Sequence, residues 1–211
     1  MINRKLIKPS ILAIATYLLS YQIPKLIINE KNIHFIKISL DDRIPLIKPF
    51  VIIYLLAFVQ WSIFMLVLVR QDTHFGYKYT SAILIGSIVG FIIFISYPTG
   101  TQRPEIIGNG FFDNLIIIVY STDSTINAIP SFHCFCSWIC FRGLMEAKGI
   151  DRKWIIINFL FSILVFVSTI FTKQHFIIDI PTGILLAEIS IQIASKHQFT
   201  KLFNMLNKIG R

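Results

Sequence analysis

The chain has 211 residues, of which 55% are hydrophobic and 15% charged, and its formal net charge is +9. Soluble domains carry about 25% charged residues, and here the apolar residues form long runs, which excludes an ordinary water-soluble domain. The basic residues lie at the ends of these runs and are not clustered with aromatic residues. The charge therefore indicates a membrane surface as the partner, and no nucleic acid is predicted.

The apolar runs predict an all-α integral membrane bundle of about six transmembrane helices, each near the ~20 residues that cross a bilayer. In chain order, the predicted spans are 10–28, 50–69, 81–97, 131–145, 154–172 and 176–194. Pro24 and Lys25 interrupt the first span, and Lys25 is expected to extend its ammonium to the membrane interface. No small-residue cleavage site follows the first run, so it is predicted to stay in the protein as a span and not to act as a signal peptide.

The predicted organisation is one transmembrane domain over residues 1–195 and a basic amphipathic tail over residues 196–211. Apolar residues at helical spacing in the tail predict a helix on the inner leaflet, with a disordered basic tail as the alternative. In this topology, 13 of the 20 Lys and Arg residues fall on the side of the two termini. The positive-inside rule therefore predicts a multi-pass protein of the cell membrane with both termini in the cytoplasm.

The same topology places three polar segments together on the outer face. These are Arg103-Pro104, the segment 130–133, and the segment 173–179. Ionisable residues at membrane depth are costly and indicate function. His175 and Asp179 are four residues apart, so on a helix the carboxylate would fix the imidazole tautomer and leave one nitrogen as a nucleophile or base. Alone, such a pair is more often an ordinary contact on a helix surface.

Further residues strengthen the chemical interpretation. His133 adds a second imidazole near a helix start, where free backbone N–H groups around Ser131 suit a phosphate. Arg103 and Lys173 add positive charge. Each residue has an ordinary alternative as a lining residue, a helix cap, a surface arginine or an interfacial anchor. Together they suit phosphoryl transfer, which needs a nucleophile, a proton donor and cations around the phosphoryl oxygens. No metal and no cofactor are predicted.

These motifs resemble those of the type 2 phosphatidic acid phosphatase superfamily, which shares its site architecture with vanadium haloperoxidases. The family pattern is Lys-x6-Arg-Pro, then Pro-Ser-x-His, then Ser-Arg-x5-His-x3-Asp. In this chain the matching segments, in the same order, are Arg103-Pro104, Pro130-Ser131-Phe132-His133, and Ser168-Thr169 with His175 and Asp179. The resemblance covers the third to sixth predicted spans.

Two positions depart from the family pattern. The family lysine falls at Ser96 and the family arginine at Thr169, and Lys173 is the candidate replacement for one of these cations. The segments 97–98 and 120–123 are similar to a bacterial branch related to inositol phosphorylceramide synthases. The segment 42–45 is similar to the same branch, so the departures are interpreted as a trait of that branch.

The resemblance implies a haloperoxidase-like core and a membrane enzyme that hydrolyses a lipid phosphate monoester or diphosphate. It implies that His175 forms a phosphohistidine, that Asp179 orients it, and that His133 protonates the leaving lipid oxygen and then activates water. Arg103, Lys173 and the amides near Ser131 would hold the phosphate. Asp123 and Asn127 either brace the loop or are ordinary turn residues, and the interpretation as turn residues is favoured.

Three alternatives remain open at this point. The first is a phosphotransferase that moves a phospho-headgroup to an alcohol, as in inositol phosphorylceramide synthases. The second is a non-catalytic lipid-binding membrane protein, which the residues Ser96 and Thr169 favour and the intact histidines oppose. The third is a small transporter, which polar residues at the bilayer midplane would favour. The sequence leaves the identity of the lipid and the oligomeric state open.

Overall fold

The computed structural model of the chain describes residues 1–28, 32–123 and 125–209. Within these residues the fold is all-helical, with a 3₁₀ turn at Arg4–Leu6. The α-helices, in chain order, are α1 (Ile7–Ile27), α2 (Phe50–Leu68), α3 (Thr73–Ser96), α4 (Phe111–Thr122), α5 (Phe132–Glu146), α6 (Arg152–Phe171), α7 (Asp179–Lys196) and α8 (Thr200–Lys208).

Of the helices that correspond to predicted spans, α2 begins at the predicted residue and the other five begin one to eight residues away from it. Helix α3 starts eight residues before the predicted span because the Asp72 side chain caps it, accepting a hydrogen bond from the Phe75 N–H at 2.9 Å. Helix α7 starts at Asp179, three residues after the predicted Phe176, so His175 lies in a loop and not on a helix. Helix α1 continues through Pro24, which was expected to interrupt it.

Four of the described helices are long and apolar enough to cross a membrane. They are Arg4–Ile27, Phe50–Leu68, Thr73–Ser96 and Arg152–Phe171. Helix α5 has only 15 residues, and α7 carries Asp179, Glu188 and Lys196 among its 18 residues. The chain is therefore a membrane-embedded helical protein, and the expectation of six spans remains a prediction.

Helix α5 lies at the centre of the bundle, packed against α2, α6 and α7, while α3 packs between α1 and α7. Glycines allow the closest approaches to α5. A Cβ atom on Gly90 of α3 would lie 2.3 Å from the Phe132 ring. One on Gly183 of α7 would lie 2.4 Å from the Ser131 carbonyl oxygen, which is backbone and cannot move aside. The start of α5 is thus held directly against α7.

The segment between α1 and α2 packs over the loops at one end of the bundle. The Asp41 side chain is buried and accepts a hydrogen bond from the Ile177 N–H at 2.9 Å. The Ile47 N–H donates to the Phe171 carbonyl oxygen at 3.0 Å. This segment therefore braces the loop between α6 and α7, which contains His175.

The predicted C-terminal tail contains a helix, α8, at the other end of the bundle. One of its apolar residues, Phe203, is fully buried, with its ring centroid 4.9 Å from that of Tyr77 in α3. The tail is thus packed in part against the bundle. The predicted domain boundary after residue 195 stays a prediction, and Gly210 and Arg211 lie outside the described residues.

Candidate active site

His175 and Asp179 form a buried pair in the loop that leads into α7. His175 Nδ1 lies 2.9 Å from Asp179 Oδ2, which also accepts the Phe176 N–H at 2.9 Å. The loop is also bonded to the end of α6, because the His175 N–H donates to the Thr169 carbonyl oxygen at 3.1 Å. The contact predicted from the four-residue spacing is present, but the turn that leads into α7 makes it and not a shared helical face. A carboxylate at Nδ1 favours the tautomer whose Nε2 carries a lone pair.

His133 faces this pair from the first turn of α5. Its ring centroid lies 6.2 Å from that of His175, and the Tyr54 ring stacks on it at 4.1 Å. His133 Nε2 is buried and has no hydrogen-bond partner among the described residues. His133 and His175 line one cavity of about 240 Å³, here called the histidine cavity. Two imidazoles therefore line the same cavity.

Asp123 is a hub of hydrogen bonds at the edge of the histidine cavity. Its carboxylate accepts from the Tyr21 hydroxyl at 2.5 Å and from the Tyr54 hydroxyl at 2.6 Å, and Lys25 Nζ lies 3.2 Å away. Burial opposes ionisation of this carboxyl, but the two tyrosine hydrogen bonds, with His133 and Lys25 nearby, hold its pKa at about 2. Asp123 follows the last residue of α4, and its hydrogen bonds agree with the alternative that it braces the loop: its carboxylate organises one wall of the cavity.

Arg103 joins the loop after α3 to the other site segments. Its Nη1 donates to the carbonyl oxygens of Tyr120 at 3.1 Å and Asp123 at 3.0 Å. Its Nη2 donates to the Gln174 side chain, and its guanidinium lies 4.8 Å from the centroid of the Tyr120 ring. Arg103 thus connects the end of α4 to the residue before His175.

Lys173 lies beside the histidine loop but is turned toward the segment between α1 and α2. It adopts a positive φ of 56°. Its Nζ donates to the carbonyl oxygens of Ile44 at 2.5 Å and Asp41 at 3.3 Å. Lys173 and Arg103 line a second cavity of about 300 Å³, here called the loop cavity, together with Asp41 and Lys37. The predicted phosphate cation is thus engaged with backbone carbonyls.

Ser131 is the N-cap of α5. Its hydroxyl is fully buried and accepts from the Cys134 N–H at 3.4 Å, and its own N–H donates to the Asp179 carbonyl oxygen at 3.4 Å. The structure thus uses Ser131 to fix the start of α5, where His133 lies, against the start of α7.

A family model described as the PAP2 superfamily matches residues 32–193. The chain belongs to the PAP2 superfamily. No curated protein and no solved structure matches the chain significantly. The match includes every PAP2 motif residue named above and ends before α8. It begins after α1, so the wall that α1 contributes to the histidine cavity lies outside the part of the chain matched to the family.

The two positions that depart from the PAP2 pattern are occupied by side chains that bond to their own helices. The Thr169 hydroxyl is fully buried and donates to the Phe166 carbonyl oxygen at 2.7 Å. The Ser96 hydroxyl lies at the end of α3 and donates to the Ile92 carbonyl oxygen at 2.7 Å. Neither residue replaces the charge of the family cation.

Sequence reasoning missed three residues of the histidine cavity, Tyr21, Lys25 and Tyr54. Lys25 was expected to extend its ammonium to the membrane interface, and no role was predicted for the two tyrosines. A signal existed in α1, because Tyr17, Tyr21 and Lys25 are four residues apart and so share one face. What the sequence could not give is which face of α1 turns toward the histidines.

Proposed function

We propose that the chain is a lipid phosphatase that hydrolyses a lipid phosphate monoester or diphosphate through a phosphohistidine on His175. The observation that carries the proposal is the His175–Asp179 pair, 2.9 Å between Nδ1 and Oδ2, facing His133 across one cavity. Membership of the PAP2 superfamily supports a phosphatase-like reaction. The helices that could span a membrane support a lipid substrate.

In the first step, the lone pair on His175 Nε2 forms a bond to phosphorus while the bond from phosphorus to the lipid oxygen breaks. Asp179 accepts a hydrogen bond from the Nδ1–H of His175 and stabilises the positive charge that develops on the ring. His133 begins this step as an imidazolium and donates one proton to the leaving lipid oxygen, which leaves its ring neutral. The lipid product leaves as an alcohol, or as a monophosphate when the substrate is a diphosphate.

In the second step, His133, now neutral, removes a proton from water as the water oxygen attacks the phosphorus. The bond between phosphorus and Nε2 breaks, which releases inorganic phosphate and restores His175. Arg103 and the backbone near Ser131 are proposed to hold the phosphoryl oxygens in both steps, with Arg103 acting from the loop cavity, which adjoins the histidine loop.

The expectation that Lys173 also holds the phosphate stays a prediction. Its Nζ donates to the carbonyl oxygens of Asp41 and Ile44, so we assign it to fixing the histidine loop.

The reaction is proposed to occur at the outer face of the cell membrane. The histidine cavity is lined by the end of α1, the starts of α2 and α5, the end of α4 and the loop before α7, which all lie at one end of the bundle. With both termini in the cytoplasm, as the distribution of Lys and Arg predicts, that end is the outer one.

The test is phosphate release by purified protein in detergent, with EDTA present, from a panel of lipid monophosphates and diphosphates. Wild type is compared with His175→Ala, for which we expect a loss of at least about 10⁴-fold, as for other nucleophile deletions. Retained folding of the variant is checked by its elution volume and unfolding midpoint. Full activity in a folded His175→Ala protein would remove the mechanism.

A specific observation favours a second candidate, a phosphotransferase related to inositol phosphorylceramide synthases. The loop cavity is polar and is lined by Asp41, Asp42 and Gln102, which can accept hydrogen bonds from the hydroxyls of an alcohol. In this case the covalent intermediate on His175 would carry the phospho-headgroup of a lipid phosphodiester, with the lipid alcohol released, and would pass it to the acceptor alcohol and not to water. Wild type would then release little phosphate from the lipid panel. It would form a phosphodiester when a headgroup phospholipid and an acceptor alcohol are supplied together. No product with either acceptor would favour the non-catalytic alternative.

A further inference from the structure

Lys25 is a cation of the histidine cavity contributed by α1. It lines the cavity together with His133 and His175, and its side chain is 13% exposed. Its Nζ lies 4.0 Å from the centroid of the Tyr21 ring and 3.2 Å from Asp123 Oδ1. A charged ammonium in a helix long enough to span a membrane is costly, and such residues usually serve a ligand or an ion pathway.

The Asp123 ion pair does not by itself account for Lys25. The Asp123 carboxylate accepts two short tyrosine hydrogen bonds, which already stabilise its charge without a lysine. The contact of Lys25 Nζ with Asp123 is longer than the contacts of the two tyrosine hydroxyls with Asp123. An ammonium has three donor hydrogens, so Lys25 can donate to a further acceptor as well. An ammonium held beside the cavity in this way is positioned to bind a second anion there.

A phosphate bound at the two histidines needs a cation that lines the histidine cavity. The family lysine and arginine are replaced by Ser96 and Thr169, whose hydroxyls bond to their own helices. Lys173 is engaged with the carbonyl oxygens of Asp41 and Ile44 and lines the loop cavity. Lys25 is a cation that lines the histidine cavity itself.

We propose that Lys25 binds the phosphate of the substrate, so that α1, which lies outside the family-matched residues 32–193, completes the active site. This inference rests on the proposed function for the identity of the anion. Lys25 Nζ donates to a non-bridging phosphoryl oxygen while it remains close to Asp123. Asp123 holds the ammonium and the Tyr54 ring in place and does not contact the phosphate.

The experiment measures the binding of inorganic phosphate, so that it does not depend on turnover. The unfolding midpoint of the full chain in detergent is followed as phosphate replaces chloride at constant ionic strength, and the dissociation constant comes from the concentration dependence. We expect Lys25→Met to weaken phosphate binding by at least about tenfold, since charge-assisted hydrogen bonds are the stronger class. Lys25→Arg, which keeps a donor cation, should bind within about threefold of wild type. Lys196→Ala, at the far end of α7 from Asp179, is the matched lysine control.

The double variant Lys25→Met with Asp123→Asn separates direct binding from neutralisation of Asp123. If Lys25 contacts the phosphate, the double variant stays as weak as Lys25→Met. If Lys25 only cancels the charge of Asp123, removing both charges restores phosphate affinity and overturns the inference. Unchanged affinity in Lys25→Met, or no phosphate binding by wild type, would also overturn it.

The outcome is distinguishable from that of the proposed function. Phosphate binding that depends on Lys25, without phosphate release from any lipid, would keep the inference and reject hydrolysis. Hydrolysis of a lipid phosphate with a phosphate dissociation constant that is the same in Lys25→Met would keep hydrolysis and reject the inference.

Discussion

The two walls of the histidine cavity are held in place by different interactions. One wall, here called the α5–α7 wall, is formed by the start of α5 and the loop that leads into α7. Backbone contacts fix its catalytic side chains: the His175 N–H donates to the Thr169 carbonyl oxygen, and Gly183 lets α7 pack against Ser131. The other wall, here called the α1–α2 wall, is formed by α1, α2 and the end of α4. Its side chains are joined by hydrogen bonds to the Asp123 carboxylate.

We infer from this difference that the two walls have different roles in the reaction. The side chains of a nucleophile and its base must stay within about half an ångström of the geometry that the reaction needs, and contacts to the backbone restrict their movement most. A wall that recognises an anion instead needs charges and donors that adjust when the anion arrives. We therefore expect changes on the α5–α7 wall to lower kcat, and changes on the α1–α2 wall to raise KM and weaken phosphate binding.

The largest effect after loss of His175 is expected for Asp179→Asn on the α5–α7 wall. The amide can donate to His175 Nδ1, which favours the tautomer whose Nε2 carries a proton and cannot attack phosphorus. We expect kcat for lipid phosphate hydrolysis to fall about 10³–10⁴-fold, as when the orienting aspartate of a catalytic triad is replaced. Steady-state kinetics on the best lipid of the panel measures it.

The matched control for this change is Asp179→Glu, which keeps the charge and should retain more activity than the asparagine variant. A change in KM with an unaltered kcat in Asp179→Asn would break the proposed division between the walls.

An intermediate effect is expected for Tyr54→Phe on the other wall. This change removes the hydroxyl that donates to Asp123 at 2.6 Å and keeps the ring that stacks on His133. Hydrogen bonds to charged groups contribute about 1.5–3 kcal/mol, so we expect KM to rise about tenfold or more while kcat changes little. Tyr54→Leu, which removes the ring as well, should lower kcat too. Equal losses of kcat in both variants would show that Asp123 acts on the chemistry of His133.

Much of the helix order could be predicted from the sequence, because long apolar runs are a strong signal on their own. The predicted second span, 50–69, differs by one residue from Phe50–Leu68. The contact between His175 and Asp179 also followed from spacing. The start of α7 was missed because the Asp179 carboxylate accepts the Phe176 N–H, and this hydrogen bond holds residues 176–178 in a turn and not in a helix.

The part of the site that sequence could not predict depends on contacts between distant segments. Asp123 meets Tyr21 and Tyr54 across separations of 102 and 69 residues. No local pattern reports which side chains converge across such distances, and Asp123 in a polar loop has the composition of a turn. The family motifs do not help with Lys25, since it lies before the matched residues.

The smallest effect on kcat is expected for Lys173→Met. This variant tests Lys173, which was predicted from the sequence to bind phosphate, against Lys25, which the structure places in the histidine cavity. Lys173→Met removes the hydrogen bonds to the Ile44 and Asp41 carbonyl oxygens, which hold the loop that contains His175. We expect kcat to fall about fivefold, as for the loss of a hydrogen bond of about 1 kcal/mol, with the dissociation constant for inorganic phosphate unchanged. The same unfolding titration used for Lys25→Met measures that constant.

The two lysine variants are informative as a pair, because they remove the same charge from the two sides of the histidine loop. If Lys173→Met weakens phosphate binding and Lys25→Met does not, the cation belongs to the loop before α7, as the sequence suggested. If the effects fall as expected, Lys173 acts on the geometry of His175 and Lys25 on the anion. The positive charge that the family motifs provide from α3 and α6 would then come, in this chain, from α1.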